Sequence, residues 1–363
     1  MEEVFYENLG LVNKEFREDY IESFKNVLDS GWFILGANVK NFETEFAKYL
    51  GVNYCVGVGN GLDALTLALK AFNFPADAEV IVPSNTYIAT ILAIIECGFK
   101  PVLVEPDIAT YNIDPNLIEA SVTKRTRAII PVHLYGKACN MERIVDVATR
   151  HSLKIIEDCA QSHGSRYKNT VAGSFGDFGC FSFYPTKNLG SLGDAGAVTT
   201  DNEDLQNGVK LLRNYGSTIK YQNEVVGRNS RLDELQAGFL LIKLKRLGAI
   251  NNHKQKLAQL YFKNLKKDFI LPQQHPDYYD TFHIFAIRHP ERDKLKKYLL
   301  NSDIKAEIHY PIPPHKQKAV QGILNGRNYP ISEEIHSTIL SLPISYAHSE
   351  SDIYRTIAAL NKF

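Results

Sequence analysis

Hydrophobic residues recur about every four positions in two stretches of the first fifty residues. This spacing is typical of a helix face, so two helices are predicted at the start of the chain. Their apolar positions are Phe16, Tyr20, Phe24 and Leu28 in the first helix, and Val39, Phe42, Phe46 and Leu50 in the second. Gly31 and Gly51 follow the two runs, and glycine commonly ends a helix.

Short apolar runs then alternate with helical stretches between about residues 54 and 200. The predicted strands are "YCVGVGNG", "EVIVP", "KPVLVEP", "RAIIPVHLYG" and "LKIIEDCA", and the helices between them are "LDALTLALKAF", "TYIATILAIIECG", "DPNLIEASV" and "MERIVDVATRHS". This alternation favours an α/β fold with a mainly parallel sheet that helices cover on both faces. Ligands of such sheets bind beyond the carboxyl ends of the strands.

The elements become less regular after about residue 201. Helices are predicted at "NEDLQNGVKLLRNYG", "SRLDELQAGFLLIKLKRLGAI", "ERDKLKKYLL" and "ESDIYRTIAALN", and strands at "TFHIFAIRH" and "IKAEIHY". We find no internal repeat and no linker, so the parts should pack closely. The predicted division is a large α/β domain over residues 1–250 and a smaller C-terminal α+β domain over residues 251–363.

Composition indicates a globular protein without a general affinity for polyanions. The 363 residues include 41 Lys and Arg and 41 Asp and Glu, so the formal charge is zero. No overall field therefore favours nucleic acid or an acidic membrane as a partner. No apolar run reaches about 18 residues, and "MEEVFYENLG" lacks the basic and apolar regions of a signal peptide. Five cysteines without a CxxC pair favour reduced thiols and a cytoplasmic protein.

The candidate chemistry begins with a lysine in "FGCFSFYPTKNLGSLGDAGAVTT". Lys187 is followed by three glycines, which let the backbone approach a ligand closely. Asp158 ends the predicted strand of "IIEDCAQSHG", where a carboxylate is seldom left unpaired. The two residues could meet at one edge of the sheet as a buried ion pair. They could equally hold pyridoxal 5′-phosphate (PLP), with Lys187 bonded to its aldehyde and Asp158 paired with its pyridine nitrogen.

Three further features suit a phosphorylated aromatic ligand. The turn at Gly61 and Leu62 in "VGVGNGLDAL" precedes a predicted helix, whose N-terminus binds phosphate. Tyr87 in "PSNTYIAT" could cover an aromatic ring, although a tyrosine there could also serve packing alone. Ser182 alternates with Phe181 and Phe183, so it can face the crevice. The glycines of "GVGNG" do not match G-x-G-x-x-G, and no acidic residue ends the next strand, so a dinucleotide site is disfavoured.

Six motifs together resemble the DegT/DnrJ group of nucleotide-sugar aminotransferases, a branch of the aspartate-aminotransferase (fold type I) PLP enzymes. In chain order they are "GNGLDAL", "VPSNTYIAT", "EDCAQSHG", "FSFYPTKNLGSLGDAGAV", "GRNSRLDELQA" and "HYPIPPH". The resemblance covers nearly the whole chain. It implies PLP as cofactor and a PLP-transferase fold.

The resemblance also implies roles at the cofactor ring. Lys187 would bond the PLP aldehyde and later move a proton, which requires a pKa below the usual value of about 10.4 for a lysine. Asp158 would pair with the pyridinium nitrogen, Gln161 would lie beside the ring hydroxyl, and Tyr87 would lie against the ring face.

Further implied contacts involve the phosphate and the substrate. Gly61, Leu62 and Ser182 would hold the phosphate, and Asn229 would reach the phosphate of the other subunit, because these enzymes share their sites across a homodimer. The substrate-binding residues that the resemblance implies are His163, Arg231, His309 and Tyr310.

Some of these residues also have a structural interpretation that needs no ligand. Asn229 and Arg231 could cap the long helix that follows them. His309 and His163 could be core histidines, and we interpret His133 in "PVHLYG" as structural. The histidines show no metal-binding spacing such as H-x-x-x-H, so no metal site is predicted.

The implied reaction transfers an amine from L-glutamate to a keto sugar nucleotide. "SFYPTKNLG" resembles the enzymes that aminate C3 of dTDP-3-keto-6-deoxyhexoses, giving dTDP-3-amino-3,6-dideoxyhexoses. Alternatives within the family are amination at C4 and UDP-linked substrates. Related sugar dehydratases replace the lysine with histidine, so Lys187 disfavours them. An alternative of another class is a non-catalytic ligand-binding or regulatory protein on the same scaffold, which the presence of both Lys187 and Asp158 disfavours.

Overall fold

The computed structural model describes residues 3–324 and 326–363. The strands within these ranges are β1 (Tyr54–Val58), β2 (Glu79–Pro83), β3 (Lys100–Val104), β4 (Thr126–Ile129), β5 (Lys154–Asp158), β6 (Arg166–Tyr167), β7 (Thr170–Val171), β8 (Phe178–Ser182), β9 (Gly196–Thr200), β10 (Ser217–Ile219), β11 (Gln222–Asn223), β12 (Tyr278–Tyr279), β13 (Phe285–Arg288) and β14 (Ile339–Leu342). The α-helices within them are α1 (Leu9–Val12), α2 (Arg17–Ser30), α3 (Ala37–Leu50), α4 (Gly61–Ala71), α5 (Ile88–Glu96), α6 (Pro115–Ile118), α7 (Met141–Arg150), α8 (Glu203–Arg213), α9 (Glu234–Leu244), α10 (Leu247–Asn264), α11 (Arg292–Leu300), α12 (Pro330–Thr338) and α13 (Glu350–Leu360).

The two predicted N-terminal helices are present as α2 and α3. Gly31 and Gly51 end them with φ angles of 63° and 76°, which glycine adopts without the steric cost of a side chain. Helix α3 buries its apolar face completely, whereas Phe24 and Leu28 of α2 remain exposed. The helical period was therefore interpreted correctly.

The central sheet has the strand order β1-β9-β8-β5-β4-β2-β3 among the described residues. Neighbouring strands from β8 to β3 are parallel, while β9 runs antiparallel to both β1 and β8. This confirms the predicted α/β fold with a mainly parallel sheet. Because antiparallel neighbours need no crossover helix, β8 connects to β9 directly through residues 183–195, the loop that contains Lys187.

Parallel pairing of β5 and β8 brings the two candidate catalytic residues to one edge. Asp158 is the last residue of β5 and lies in register with Cys180 of β8. Strand β8 ends two residues later at Ser182, and the Lys187 loop follows it. The carboxyl ends of both strands therefore open into the same crevice, where ligands of such sheets bind.

Helices cover the sheet on both sides, and a second core lies in the C-terminal part of the chain. Antiparallel strands β13 and β14 pack there with α10, α11 and α13. Val4 joins this second core and pairs with Ile304 as a parallel bridge. Residues at both ends of the chain thus build the smaller core, and α10 crosses residue 250. The division into residues 1–250 and 251–363 stays a prediction.

Two elements differ from the sequence predictions. The long helix predicted over residues 230–250 is divided into α9 and α10, because Arg246 has φ −106° and ψ −3° and Leu247 turns into the core beside α3. "IKAEIHY" forms no strand of its own in the described residues. Glu307 pairs with Ser341 on one side, while the Lys305 N–H binds the Val4 carbonyl, so its backbone hydrogen bonds are split between two partners.

No helix of residues 3–324 and 326–363 is both long and apolar enough to cross a lipid bilayer.

Candidate active site

The loop after β8 presents the Lys187 amine to the crevice and holds its backbone tightly. The Lys187 N–H donates to the Tyr184 carbonyl at 2.8 Å. A Cβ atom built on Gly190 would lie 2.4 Å from the Pro185 carbonyl oxygen, so the loop can close only with glycine there. Burial lowers the pKa of the Lys187 amine to about 8, and the Asp158 carboxylate opposes that shift. The uncharged amine is therefore more abundant near neutral pH than in an exposed lysine.

The Asp158 carboxylate is buried, with 6% of the residue exposed. It accepts hydrogen bonds from the Thr90 hydroxyl at 2.9 Å and from the Ala160 N–H at 3.1 Å. Burial raises its pKa, while both hydrogen bonds and the Lys187 charge act in the opposite direction. Among the ion pairs of the described residues, none involves Asp158. A cationic ligand group beside it would therefore stabilise its charged form.

The N-terminus of α4 forms a cradle against the end of β8. The Asn60 side chain caps the helix by accepting the Asp63 N–H at 2.8 Å. The N–H groups of Gly61 and Leu62 lie in the first turn, where a helix offers its donors to a ligand. A Cβ atom built on Gly61 would lie 2.6 Å from the Cβ of Ser182. The helix donors and the Ser182 side chain thus face one small space.

The segment that contains Asn229 is anchored beside this cradle. Ser230 donates its hydroxyl to Asp63 at 2.7 Å and accepts the Gly59 N–H at 3.0 Å, and Arg228 forms an ion pair with Asp63 at 2.8 Å. Asn229 lies between these two anchors and is exposed. Asn229 is therefore held at the surface, beside the cradle at the start of α4.

Neither Asn229 nor Arg231 caps the following helix, so that alternative interpretation is wrong. Helix α9 begins at Glu234, and Asp233 occupies the N-cap position. The Arg231 guanidinium donates to the Asn214 side chain at 3.0 Å and lies over the Tyr215 ring at 5.5 Å. Its buried Nε has no hydrogen-bond partner among the described residues. Arg231 thus keeps a donor for an anionic ligand.

Aromatic and amide groups line the side of the crevice near Asp158. The Gln161 amide donates to the Tyr310 hydroxyl at 2.8 Å, and its oxygen accepts the Tyr135 N–H at 2.7 Å. The ring of Tyr87 lies 5.0 Å from that of Tyr310. Tyr87 is 52% exposed, and whether its ring covers a ligand or serves packing alone stays a prediction.

Two predicted substrate-binding histidines occupy different environments. His309 contacts the Ser341 hydroxyl at 2.8 Å, and burial lowers its pKa to about 4. His163 is 1% exposed, and its ring packs against Phe181 and Phe183. Burial lowers the pKa of His163 to about 3. Both imidazoles are therefore uncharged near neutral pH, and a direct contact of either with a sugar stays a prediction.

The structure adds two groups that the sequence did not reveal. His283, which precedes β13, places its Nε2 3.5 Å from the Lys187 amine. Lys254 of α10 lies behind it and donates to the His283 carbonyl at 3.2 Å. A single polar residue inside an apolar strand or helix pattern carries no local signal of its tertiary partner, so sequence reasoning could not find either one.

His133 takes part in a buried structural network. Its Nε2 contacts Glu157 at 2.8 Å, and its Nδ1 accepts the Cys139 N–H at 2.9 Å. Glu157 also accepts three backbone N–H groups from residues 173–176. Cys159 lies close enough to complete a possible set of metal ligands. Because His133 and Glu157 are already engaged by protein groups, the cluster gives no reason to assign a metal.

Comparison with known proteins identifies the family of this chain. The model of the DegT/DnrJ/EryC1/StrS aminotransferase family matches residues 14–361. A dTDP-3-amino-3,6-dideoxy-alpha-D-galactopyranose transaminase from Aneurinibacillus thermoaerophilus is 50% identical over 98% of each chain. A UDP-N-acetyl-3-dehydro-alpha-D-glucosamine 3-aminotransferase from Acidithiobacillus ferrooxidans is 40% identical over 95% of this chain and 94% of the relative.

A solved structure agrees over the whole fold. The crystal structure of DesV from S. venezuelae in complex with a ketimine intermediate superposes with a TM-score of 0.97 at 41% identity, covering 100% of this chain and 98% of that one. The family predicted from the six motifs is confirmed. The chain belongs to the DegT/DnrJ/EryC1/StrS aminotransferase family.

Proposed function

We propose that this protein is a PLP-dependent aminotransferase that moves the amine of L-glutamate to C3 of a dTDP-3-keto-6-deoxyhexose. The observation that carries the proposal is the position of Lys187 and Asp158. Both lie at the carboxyl edge of the central sheet, where β5 and β8 run parallel. An amine with a lowered pKa and a buried carboxylate in one crevice are the two groups that this chemistry requires of the protein.

The residues of the crevice fit PLP. The Asp158 carboxylate has no ionic partner among the described residues and suits a protonated pyridine nitrogen. The first N–H groups of α4 and the Ser182 side chain suit a phosphate, and the contact between Gly61 and Ser182 leaves no room for a larger residue at position 61. When bound, PLP supplies the electron sink for the reaction.

The side chains of this protein supply position and proton transfer. The Lys187 Nζ would take the proton from the α-carbon of L-glutamate and pass it to the bound cofactor, and in the second half of the reaction it would take a proton back from the cofactor and give it to C3 of the sugar. A pKa of about 8 lets the same amine act in both directions near neutral pH. A hydrogen bond joins Gln161 and Tyr310 and fixes the positions of these two side chains beside the reacting atoms. Correct placement of this kind contributes much of the rate of a two-substrate reaction.

The choice of acceptor rests on two observations. The relative from Aneurinibacillus thermoaerophilus, which is 50% identical to this chain, is named for a dTDP-3-amino-3,6-dideoxy-galactopyranose. This name matches the C3 specificity expected from "SFYPTKNLG". The free Nε of Arg231 suits the diphosphate of a sugar nucleotide. We therefore take dTDP-3-keto-6-deoxygalactose as the first substrate to test. A UDP-linked 3-keto sugar is the second candidate, because a relative at 40% identity is named for one.

We also propose a homodimer with shared sites. Asn229 is exposed, yet its neighbours Arg228 and Ser230 anchor it beside the phosphate cradle of the same chain. A residue held rigidly at the surface can reach a ligand bound in a second copy without local rearrangement.

The test is a turnover assay on the purified protein. Protein reconstituted with PLP is given L-glutamate and one keto sugar nucleotide, and the release of 2-oxoglutarate is measured. The panel contains the dTDP-linked 3-keto-6-deoxy sugars of galacto and gluco configuration, the dTDP-linked 4-keto sugar and a UDP-linked 3-keto sugar. We expect turnover with a dTDP-linked 3-keto sugar and its loss in Lys187→Ala. Full turnover in Lys187→Ala, or none with any acceptor, would contradict the proposal.

A further inference from the structure

Lys254 is a buried lysine that contacts both the loop that contains Lys187 and the segment before β13. It is 3% exposed, although lysine is rarely buried without a specific partner. Its Nζ donates to the Asn188 side-chain oxygen at 3.0 Å and to the His283 carbonyl at 3.2 Å. Asn188 is the residue directly after Lys187, and the His283 ring contacts the Lys187 amine. Lys254 therefore binds one group on each flank of Lys187.

Asn188 connects Lys254 to a larger network of buried hydrogen bonds. Its amide nitrogen donates to Asn251 at 2.8 Å and to the Thr281 carbonyl at 3.0 Å, while its oxygen accepts from Lys254. All three bonds are buried, and the loss of any one partner leaves a buried polar group unsatisfied. The side chain next to Lys187 is thus fixed from α10 and from the segment before β13.

Ionisable groups on three elements surround Lys254. Glu7 of the N-terminal segment interacts with both Lys254 and Lys243 of α9, and these residues line one cavity together with Lys187. His348 also faces Lys254, and burial lowers the pKa of that imidazole. One carboxylate between two lysines leaves an excess of positive charge behind Lys187. The neighbouring His253 has its ring directed to the His348 carbonyl.

On its other sides, Lys187 faces Asp158 and three imidazoles. Burial lowers the pKa of His163 to about 3 and that of His309 to about 4, and it also lowers the pKa of His283. These rings are uncharged near neutral pH. Asp158 opposes the lowering of the Lys187 pKa, and Lys254, whose own pKa the Lys187 charge lowers, is the neighbouring group of opposite sign to Asp158.

We propose that Lys254 is a positioning residue for the amine transfer: it fixes Asn188 and His283 beside Lys187, and its buried positive charge favours the uncharged form of the Lys187 amine. This inference rests on the proposed function, because only a reaction that uses Lys187 as a base needs that form. Glu7 acts against Lys254, since its carboxylate neutralises part of the charge.

The electrostatic interaction is mutual. Burial is the main cause that lowers the pKa of Lys254 to about 8, and the Lys187 charge lowers it further. Two like charges at close range disfavour each other's charged form, so Lys254 acts on Lys187 in the same sense. Removing the Lys254 charge must then raise the pKa of Lys187, and removing the Glu7 charge must lower it.

The experiment measures the pKa of Lys187 in the protein without cofactor. The apoprotein is treated with a trace of acetic anhydride between pH 6 and 11, and acetylation of the Lys187 peptide is followed by mass spectrometry. We expect Lys254→Met to raise the pH midpoint of Lys187 acetylation by on the order of one unit. Below the midpoint this corresponds to about a tenfold loss of the uncharged Lys187 amine. Glu7→Gln should move the midpoint in the opposite direction. Lys254→Arg, which keeps the charge, should leave it near the wild-type value.

Lys243 provides the matched control. It is as deeply buried as Lys254, but its amine donates to the Gly190 carbonyl and interacts with Glu7 rather than with Lys187. Lys243→Met should therefore shift the midpoint much less than Lys254→Met. Equal shifts in both variants, or no shift in either Lys254→Met or Glu7→Gln, would overturn the proposal. Should Lys254→Met fail to fold, the Glu7→Gln variant alone tests the proposal: a lower midpoint supports it, and an unchanged or higher midpoint overturns it.

The labelling needs neither PLP nor a sugar nucleotide. A protein that shows the expected shifts but aminates no sugar would overturn the proposed function and leave the electrostatic coupling in place. A protein that aminates the sugar without the shifts would overturn the role of Lys254 only.

Discussion

Gly61 and Ser182 lie so close that a Cβ atom built on Gly61 would stand 2.6 Å from the Cβ of Ser182. Contacts this short do not occur between real side chains, so Gly61→Ala must displace either the first turn of α4 or the end of β8. Because both supply phosphate contacts in the proposed site, we expect PLP to bind at least about tenfold more weakly, which corresponds to roughly 1.4 kcal/mol. Titration of the apoprotein with PLP, followed by absorbance, measures the loss.

Gly248→Ala is the control for that substitution. Gly248 lies in α10, and a Cβ built there meets nothing within 4 Å. Alanine should stabilise this helix by about 0.5–1 kcal/mol and leave PLP binding unchanged. Equal PLP affinity in Gly61→Ala and the wild type would show that the cradle between α4 and β8 does not bind the phosphate.

The hydrogen bond from Thr90 to Asp158 tests the role of the buried carboxylate. Thr90→Val removes a donor at 2.9 Å from the charged oxygen, and such a bond contributes about 1.5–3 kcal/mol. We expect kcat/KM with L-glutamate to fall by about tenfold or more, whereas Thr90→Ser keeps the hydroxyl and most of the activity. Asp158→Asn should cost about 100- to 1,000-fold, as the loss of one preorganised electrostatic group does elsewhere. Near-normal rates in Asp158→Asn would exclude the carboxylate from the mechanism.

Shared active sites predict complementation between two inactive variants. If Asn229 serves the partner's cofactor, a dimer of one Lys187→Ala chain and one Asn229→Ala chain contains one doubly altered site and one intact site. Equal mixing of the two chains should then restore about a quarter of the wild-type activity. Each variant unfolded and refolded alone is the control. Mixtures no more active than the separate variants would indicate that each site is built within one chain.

Glu234 tests a long-range contact that positions α3 against α9. Its buried carboxylate accepts the N–H groups of Gly36, Asn38 and Val39 at 2.7–2.9 Å. Glu234→Ala removes the partner of all three donors, of which the Val39 N–H is buried, and a buried unsatisfied group costs about 1–3 kcal/mol. We expect the free energy of unfolding in urea to fall by about 1–3 kcal/mol.

Glu203→Ala, at an exposed position in the first turn of α8, serves as the control for Glu234. Surface substitutions of this kind change stability by about 0.5 kcal/mol or less. If both variants lose the same small amount, the carboxylate of Glu234 does not stabilise the start of α3.

The sequence predicted the features that depend on local periodicity. Alternating apolar strands and helices predicted the mainly parallel sheet, and the position of Asp158 at a strand end predicted that it would meet Lys187 at one edge. The antiparallel direction of β9 was not predicted, because the apolar pattern of a strand is the same for either direction. The break between α9 and α10 was also missed, since Arg246 suits a helix, an isolated glycine such as Gly248 does not by itself end one, and only the burial of Leu247 requires the bend.

Contacts between distant parts of the chain were beyond sequence reasoning. Glu234 lies almost 200 residues from the N–H groups that it accepts. Lys254 and His283 occupy ordinary positions in a helix and beside a strand, and their approach to Lys187 follows from the packing of the C-terminal part on the crevice. Asn229 illustrates the opposite case. Its motif predicted a ligand contact, and the start of α9 at Glu234 removed the simpler interpretation as a helix cap.

The most direct test of the central claim is to follow the amine itself. The protein is incubated with PLP, ¹⁵N-labelled L-glutamate and dTDP-3-keto-6-deoxygalactose, and the product is examined by NMR. The account predicts a new bond between ¹⁵N and C3 of the sugar, formed by the wild type and not by Lys187→Ala. If instead the label stays in glutamate with every dTDP- and UDP-linked keto sugar, or joins a carbon other than C3, the proposed reaction is wrong.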